Sequence, residues 1–116
     1  MESLTIDLSP KGLPSISEDM WQPFRKNVDI YPLDGNPPQG QSTALIRYQP
    51  GARIPNHKHL GTEHIFVLSG SQNDENGHYS EGNLLISSTG SEHSIISKEG
   101  CIVLAIYSGG VVVKEP

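Results

Sequence analysis

Apolar residues occur along the chain in short runs, and most of these runs alternate with polar residues or end at a glycine, proline or serine. A period of two is typical of β-strands, because successive side chains point to opposite faces of a sheet. One helical turn is predicted over 17–24, with Ser17 as its N-cap. Period two predicts a strand over 4–8, and a strand is also predicted over 27–33. Runs of β-branched or aliphatic residues closed by Gly, Pro or Ser predict strands over 42–49, 64–70, 83–87, 93–97 and 101–107.

Glycine and proline separate these strands. The chain has 12 glycines and nine prolines, a spacing that leaves no room for a long helix. A loop is predicted over 34–41, and Asn76-Gly77 favours a two-residue type I′ hairpin turn, in which both residues need a positive φ. Many short strands joined in this way are typical of a β-sandwich or a β-barrel.

Length and charge narrow the class of protein. The 116 residues suffice for one domain with its own core. The net charge of −5 and the lack of a basic run argue against a nucleic-acid surface. No apolar run approaches the ~18 residues of a membrane span. The N-terminus lacks the features of a secretion signal, and Cys101 is the only cysteine, so we expect a cytoplasmic protein without an internal disulfide.

Three histidines and a glutamate fall within NHKHLGTEHIF, residues 56–66. His57 and His59 are two positions apart, so on a strand both rings project from one face. Glu63 begins the next strand, which we expect to return antiparallel beside the first, with its carboxylate facing the two imidazoles. Further along the sheet, His93 is the best candidate for a fourth ligand. Together these residues are expected to bind one divalent metal ion.

The two histidines alone are weak evidence, because surface histidines on a strand have the same spacing. The ordered pattern around them is more specific, and it matches the first cupin motif: Gly51, five residues, His57, one, His59, three, Glu63, six, Gly70. The second cupin motif follows as Gly82, seven residues, Gly90, two, His93, with Ser88 and Ser97 where the motif has proline and asparagine. Neither departure falls on a metal ligand.

The chain most resembles the ChrR-like branch of the cupins, through LIRYQPGARIPNHKHLGTEHIFVLSG, DENGHYSEGNLLISSTGSEHS and the GC of EGCIVLAIY. The resemblance implies an all-β, double-stranded β-helix (a jelly-roll barrel) that holds the metal in its mouth. The single domain, 1–116, would comprise N-terminal strands and a loop (1–41), the motif core (42–107) and a C-terminal strand (108–116). The family's anti-sigma factors carry a sigma-binding zinc domain ahead of the cupin. Residues 1–50 contain no His or Cys, so that role is not implied here.

Other marked residues have simpler interpretations. His64 points away from Glu63 and is expected at the surface or at a subunit interface. His78 is expected to be solvated in the hairpin tip, and Cys101 to be a small buried hydrophobe. Arg47 could reach an anionic substrate, but an ion pair at the rim is the preferred interpretation. The four tyrosines cannot be placed inside or outside the pocket.

Three functions remain open. A dioxygenase-like enzyme would bind iron or a similar ion and leave octahedral positions for O₂ and substrate. A zinc-binding sensor module would have a closed tetrahedral site. A sugar isomerase or epimerase would use a His/Tyr pair and no metal. An apolar wall of Ile65, Val67 and Ile95 favours a small organic ligand over a sugar. The enzyme, acting on a small dicarbonyl- or ketone-type substrate, is preferred because a sensor would need a second element to be switched and the 116 residues offer none. The metal stays open among iron, zinc, manganese and nickel.

A homodimer is also expected. An open sheet edge favours pairing with another chain unless it is covered. The edges of the strands over 4–8 and 27–33 are the candidates, and pairing there would also bury the outer-face residues Phe66 and Leu68.

Overall fold

The structure is a computed structural model that describes residues 3–114, and strands dominate it. Two short 3₁₀-helices, Leu13–Ser15 and Glu18–Met20, come first. Within the described residues the strands are β1 (Gln22–Arg25), β2 (Val28–Asn36), β3 (Gln39–Tyr48), β4 (Ala52–His59), β5 (Glu63–Asn73), β6 (His78–Ser80), β7 (Leu84–Ser87), β8 (Glu92–Ser97), β9 (Cys101–Tyr107) and β10 (Val111–Val113).

The strands form two antiparallel sheets that share β5. One sheet runs β1-β2-β3-β9-β5-β7, and the other runs β10-β4-β8 and continues to the end of β5 and to β6. A register shift between Val67 and Ser69 lies close to the point where β5 passes from one sheet to the other. Such a bulge bends a strand and lets a sheet curl. The jelly-roll barrel predicted from the sequence is confirmed.

The core lies between the two sheets, and period-two alternation selects it. On β3, β9 and β5 the inward positions are buried and belong to one cluster that includes Ala44, Ile46, Ile65, Val67, Val103 and Ala105. Each large apolar side chain buried in this way stabilises the fold by about 1.5–3 kcal/mol. Cys101 belongs to the same cluster, as expected, and burial raises the pKa of its thiol to about 11.

Near the N-terminus the predicted elements are wrong. Residues 4–8 form no strand, and Leu4 is 63% exposed. The helical turn predicted over 17–24 is limited to Glu18–Met20, and the Ser17 hydroxyl bonds Asp19 instead of capping the helix backbone. β1 follows at once, because pairing with β2 outweighs the local helix signal. As an edge strand, β1 tolerates a proline.

At both predicted turns the structure also differs from the sequence-based expectation. The loop over 34–41 is instead the tip of a hairpin: β2 extends to Asn36, β3 begins at Gln39, and a cis Pro37-Pro38 peptide joins them. The hairpin between β5 and β6 has a four-residue loop, 74–77, and neither Asn76 nor Gly77 adopts a positive φ. The Asp74 carboxylate accepts hydrogen bonds from both backbone N–H groups, a local interaction that replaces the type I′ turn.

The segments 4–8 and 27–33, predicted to form open edges of a sheet, do not do so. β2 is paired on both sides, with β1 and β3, and residues 4–8 belong to no sheet. The C-terminal strand predicted over 108–116 is β10, at Val111–Val113, and residues 115 and 116 lie outside the described part. The division of the domain at 41/42 and 107/108 stays a prediction.

Arg47 forms the expected ion pair, on the outer face of the barrel. Its guanidinium donates to Glu18 at 2.7 Å and to Asp29 at 2.8 Å, and it stacks 4.5 Å from the Trp21 ring. These contacts hold the N-terminal segment against the sheet. Within residues 3–114, no helix is long and apolar enough to cross a membrane.

Candidate metal centre

Four side chains from both sheets converge inside the barrel. They are His57 and His59 from β4, Glu63 from β5 and His93 from β8, and their possible ligand atoms all lie within 4.8 Å of one another. Each residue is buried, with an exposed fraction between 1% for His59 and 6% for His57. The four residues singled out in the sequence therefore share one buried point, as the motif spacing predicts.

Strand register brings the histidines together. Antiparallel pairing of β4 with β8 sets His57 directly opposite His93, and His59 follows on the same face of β4. The ring centroids of His57 and His93 are 4.5 Å apart, and those of His59 and His93 are 4.8 Å apart. Three of the four clustered side chains thus lie together on one sheet.

Glu63 reaches this cluster by a different route from the one expected. β4 pairs with β8 and β10, whereas the start of β5 pairs with β7 and β9 in the other sheet. The predicted antiparallel pairing of β4 and β5 is therefore wrong. The connection over 60–62 crosses from one sheet to the other, so Glu63 faces the imidazoles across the barrel, with Oε1 3.0 Å from Nε2 of His59.

Hydrogen bonds decide which nitrogen of each imidazole is free. The Nδ1 atoms face hydrogen-bond acceptors: the Pro55 carbonyl at 3.0 Å from His57, the Ser91 carbonyl at 2.9 Å from His59, and the Asp74 carboxylate at 2.9 Å from His93. The Ser91 hydroxyl also lies 3.0 Å from Nδ1 of His59, but it donates its own proton to the Ser88 carbonyl. Each Nδ1 must therefore carry the proton and donate it. All three Nε2 atoms are left with a lone pair.

The cluster consequently has acceptors and no donor. Within the described part of the chain, Nε2 of His59 is buried without a hydrogen-bond partner, and its neighbour Glu63 Oε1 is also an acceptor. Buried acceptors in contact require a cation between them, either a metal ion or an added proton. Burial alone would lower the pKa of His59, but the Glu63 carboxylate outweighs it and raises that pKa. Burial lowers the pKa of His57 and keeps it neutral, the form that binds metal.

A mostly apolar cavity adjoins the cluster. Ile65 and Ile95 line it as expected, while Val67 packs into the core and does not reach it. Its other apolar walls are Phe24, Pro38, Ile46, Ile54, Val111 and Val113. The cavity suits a small, largely apolar molecule.

Three polar residues of the cavity were not identified from the sequence. Burial, with a contribution from Glu63, raises the pKa of Tyr48 and of Tyr107, so both phenols are neutral at physiological pH and can donate hydrogen bonds. Gln72 is 1% exposed, and its Oε1 has no hydrogen-bond partner within the described chain. Tyr48 lies two residues after Ile46 on β3, and Tyr107 lies two residues after Ala105 on β9. Once the inward faces of these strands are known, period-two alternation therefore places both tyrosines inward.

Asp74 is a fourth residue that the sequence did not reveal, because in DENG it resembles an ordinary turn residue. Burial would raise the pKa of Asp74, but hydrogen bonds from His93, the Asn76 backbone and Tyr79 hold that pKa below its usual value. The side chain that accepts from His93 is therefore a carboxylate anion.

The remaining histidines lie outside the cluster, as expected. His78 is exposed near the hairpin tip, with Nδ1 2.7 Å from the Asn73 side chain. His64 is half-buried on the outer face of β5, opposite Ile86 and Ile106.

Known proteins share this sequence pattern and fold. Anti-sigma-E factor ChrR of Cereibacter sphaeroides is 33% identical over 72 residues, which are 60% of this chain and 34% of that protein. The chain thus spans about a third of the length of this curated relative. The crystal structure of Rhodobacter sphaeroides SigE in complex with the anti-sigma ChrR aligns with a TM-score of 0.67 and 26% identity, covering 76% of this chain and 48% of that one.

An enzyme shows the same fold. The crystal structure of an acetylacetone dioxygenase from Acinetobacter johnsonii aligns with a TM-score of 0.77 over 86% of this chain and 75% of that one, at 17% identity. At this identity the likeness concerns the fold alone. Residues 13–110 match the family model of the ChrR cupin-like domain, which is most of the chain. The chain therefore belongs to the ChrR cupin-like family.

Proposed function

We propose that this cupin binds one divalent transition metal ion through His57, His59, Glu63 and His93. The observation that carries the proposal is the buried set of acceptors, in which every Nδ1 proton is already donated elsewhere. Imidazole and carboxylate ligands suit iron, zinc, manganese or nickel. Bond lengths near ~2.0–2.2 Å are expected if the ion is zinc.

We further propose a dioxygenase-like activity on a small dicarbonyl- or ketone-type substrate. A bound ion with four protein ligands would supply Lewis acidity and, if octahedral, two open positions. The protein would exclude water with the isoleucines of the cavity. Tyr48, Tyr107 and Gln72 would orient the substrate, because they are the uncharged hydrogen-bonding side chains that line it.

The activity is tested by reconstitution. Apo-protein loaded with Fe(II) or Zn(II) is followed for oxygen uptake across a panel of diketones and hydroxyaryl ketones. Uptake with iron is expected, and it should disappear with Glu63→Ala or His93→Ala. His78→Ala is the matched control, since that ring lies outside the cluster, and it should leave metal content unchanged. No uptake with any compound, together with zinc as the native ion, would rule out the enzyme.

A zinc-binding regulatory module is the second candidate. The match to an anti-sigma factor favours it, although the matched segment is about a third of that protein. Elemental analysis of protein purified anaerobically from its own host separates the two candidates best. A metal-free isomerase or epimerase fits least, because it leaves the buried acceptors without a cation.

A homodimer is proposed on a different surface from the predicted edges. Phe66, Leu84, Ile86 and Ile106 are between 37% and 56% exposed and lie on the outer faces of β5, β7 and β9. An apolar patch of this kind often marks an interface.

The cytoplasmic location also stays a prediction.

A further inference from the structure

The loop between β5 and β6 lies against β8 and contacts the candidate metal centre through His93. Asp74, the first residue of this loop, accepts a hydrogen bond from Nδ1 of His93 through Oδ2 at 2.9 Å. Both side chains are buried, with 3% of the Asp74 side chain and 6% of the His93 side chain exposed. The contact is therefore shielded from competing water.

Asp74 is itself held in one orientation. Its second oxygen, Oδ1, accepts from the Tyr79 hydroxyl at 2.9 Å and from the backbone N–H groups of Asn76 and Gly77 at 2.8 and 3.0 Å. With both oxygens engaged, the carboxylate cannot rotate without breaking several hydrogen bonds. A fixed acceptor in turn fixes the plane of the ring that donates to it.

The next residue of the loop adds a second link to β8. The Glu75 carboxylate accepts from the Ser94 hydroxyl at 2.6 Å and from the Ser94 backbone N–H at 3.1 Å. Consecutive residues of the loop thus hold consecutive residues of the strand. The position of His93 along β8 is set by the same loop that sets its ring orientation.

His93 differs in this respect from the other two imidazoles. His57 and His59 donate to neutral backbone carbonyls, whereas His93 donates to an anion. A charge-assisted hydrogen bond is stronger than a neutral one, so it holds the proton-bearing Nδ1 of His93 more firmly. Glu63 and Asp74 together also supply two negative charges, which match the charge of a divalent ion in a buried site.

We propose that Asp74 is a positioning residue for the metal centre, which holds His93 in the tautomer and orientation that present Nε2 to the ion. The inference rests on the proposed metal binding. Asp74 does not touch the ion and acts only through His93. Replacing it should therefore change metal affinity and the state of one ring, while leaving the barrel intact.

The test compares Asp74→Asn with Glu92→Gln. Glu92 is a matched control, since it is a carboxylate on the same strand, next to His93, but it bonds Asn56 and Lys114 at the surface. Zinc affinity, measured by competition with a chromophoric chelator, should fall about 10–100-fold for Asp74→Asn. It should stay unchanged for Glu92→Gln.

A second readout needs no metal. Long-range proton–nitrogen NMR correlations of the apo-protein report the tautomer of each histidine. In the wild type His93 should carry its proton on Nδ1, and in Asp74→Asn part of the population should carry it on Nε2, because an amide N–H can donate to Nδ1. Tyr79→Phe removes one hydrogen bond to Asp74 without touching His93 and should lower zinc affinity by a smaller factor. It is the alternative test variant if Asp74→Asn fails to fold.

The two proposals fail separately. A wild type that binds no metal while its His93 responds to Asp74→Asn would contradict the metal site and leave only the effect of Asp74 on the His93 tautomer. Unchanged zinc affinity and an unchanged His93 tautomer in both the Asp74 and Tyr79 variants would overturn the positioning role, whatever the metal does.

Discussion

Gln72 is a buried amide beside the mostly apolar cavity, and its Oε1 has no hydrogen-bond partner among residues 3–114. An unsatisfied buried polar group costs about 1–3 kcal/mol. We therefore expect Gln72→Met to raise the free energy of unfolding of the metal-free protein by ~1 kcal/mol, measured by urea denaturation. Gln41→Met is the control, because Gln41 is exposed and has no such cost to remove. A destabilised Gln72→Met variant would show that the amide already has a partner.

The pKa shifts of the histidines predict how metal is released as the pH falls. Metal binds the neutral imidazole, so protons compete for Nε2. Since the pKa of His59 is raised above 6.5 and that of His57 is lowered, loss of affinity should begin above pH 6.5 and continue well below it. Bound metal is measured after dialysis across the pH range. Metal content that stays constant down to pH ~4.5, below the ordinary histidine range, would contradict a three-imidazole site.

At the scale of elements, β5 holds the site together, because it carries Glu63 in one sheet and Gln72 in the other. Gly70 lies near the crossover with φ +73°, and a Cβ there would lie 2.1 Å from the Gly100 carbonyl oxygen. Gly70→Ala should lower the free energy of unfolding by about 2–4 kcal/mol, from backbone strain and overpacking combined.

Gly82→Ala separates the two causes. Gly82 has a similar φ of +91°, but open space surrounds its missing Cβ. Its substitution should cost only the backbone strain, about 1–2 kcal/mol. Thermal or urea unfolding of both variants gives the comparison. Equal losses would mean that the close approach of β5 to Gly100 relaxes freely.

For the whole molecule, the exposed patch on β5, β7 and β9 predicts self-association. Ile86→Lys should weaken a dimer by about tenfold or more, because it places a charge in an apolar interface. Leu4→Lys is the matched control, since Leu4 is as exposed but lies in the N-terminal segment. Light scattering at micromolar concentration measures both. A wild type that is monomeric there would contradict the dimer.

Much of this molecule could be predicted from local sequence. The β-branched and aliphatic runs at 64–70, 93–97 and 101–107 became strands close to their predicted bounds, because such residues favour a pleated, half-buried surface. Motif spacing identified the four clustered residues, and for His57 and His59 the physical reason is local, since residues two apart on a strand share a face in any β-fold. Errors of local structure fell at 4–8 and 17–24, where local signals were ambiguous, and at the turns over 34–41 and at Asn76-Gly77.

Only the tertiary structure decided how those parts meet. Sequence spacing did not reveal that Glu63 faces the imidazoles from the opposite sheet, because a short connection can reverse within a sheet or cross between two. Asp74 and Gln72 were equally hidden, since their roles depend on contacts with His93 and the cavity. Periodicity along the chain determines which face a residue occupies, but which residues meet across the barrel depends on strand pairing, and pairing is set by packing of the whole fold.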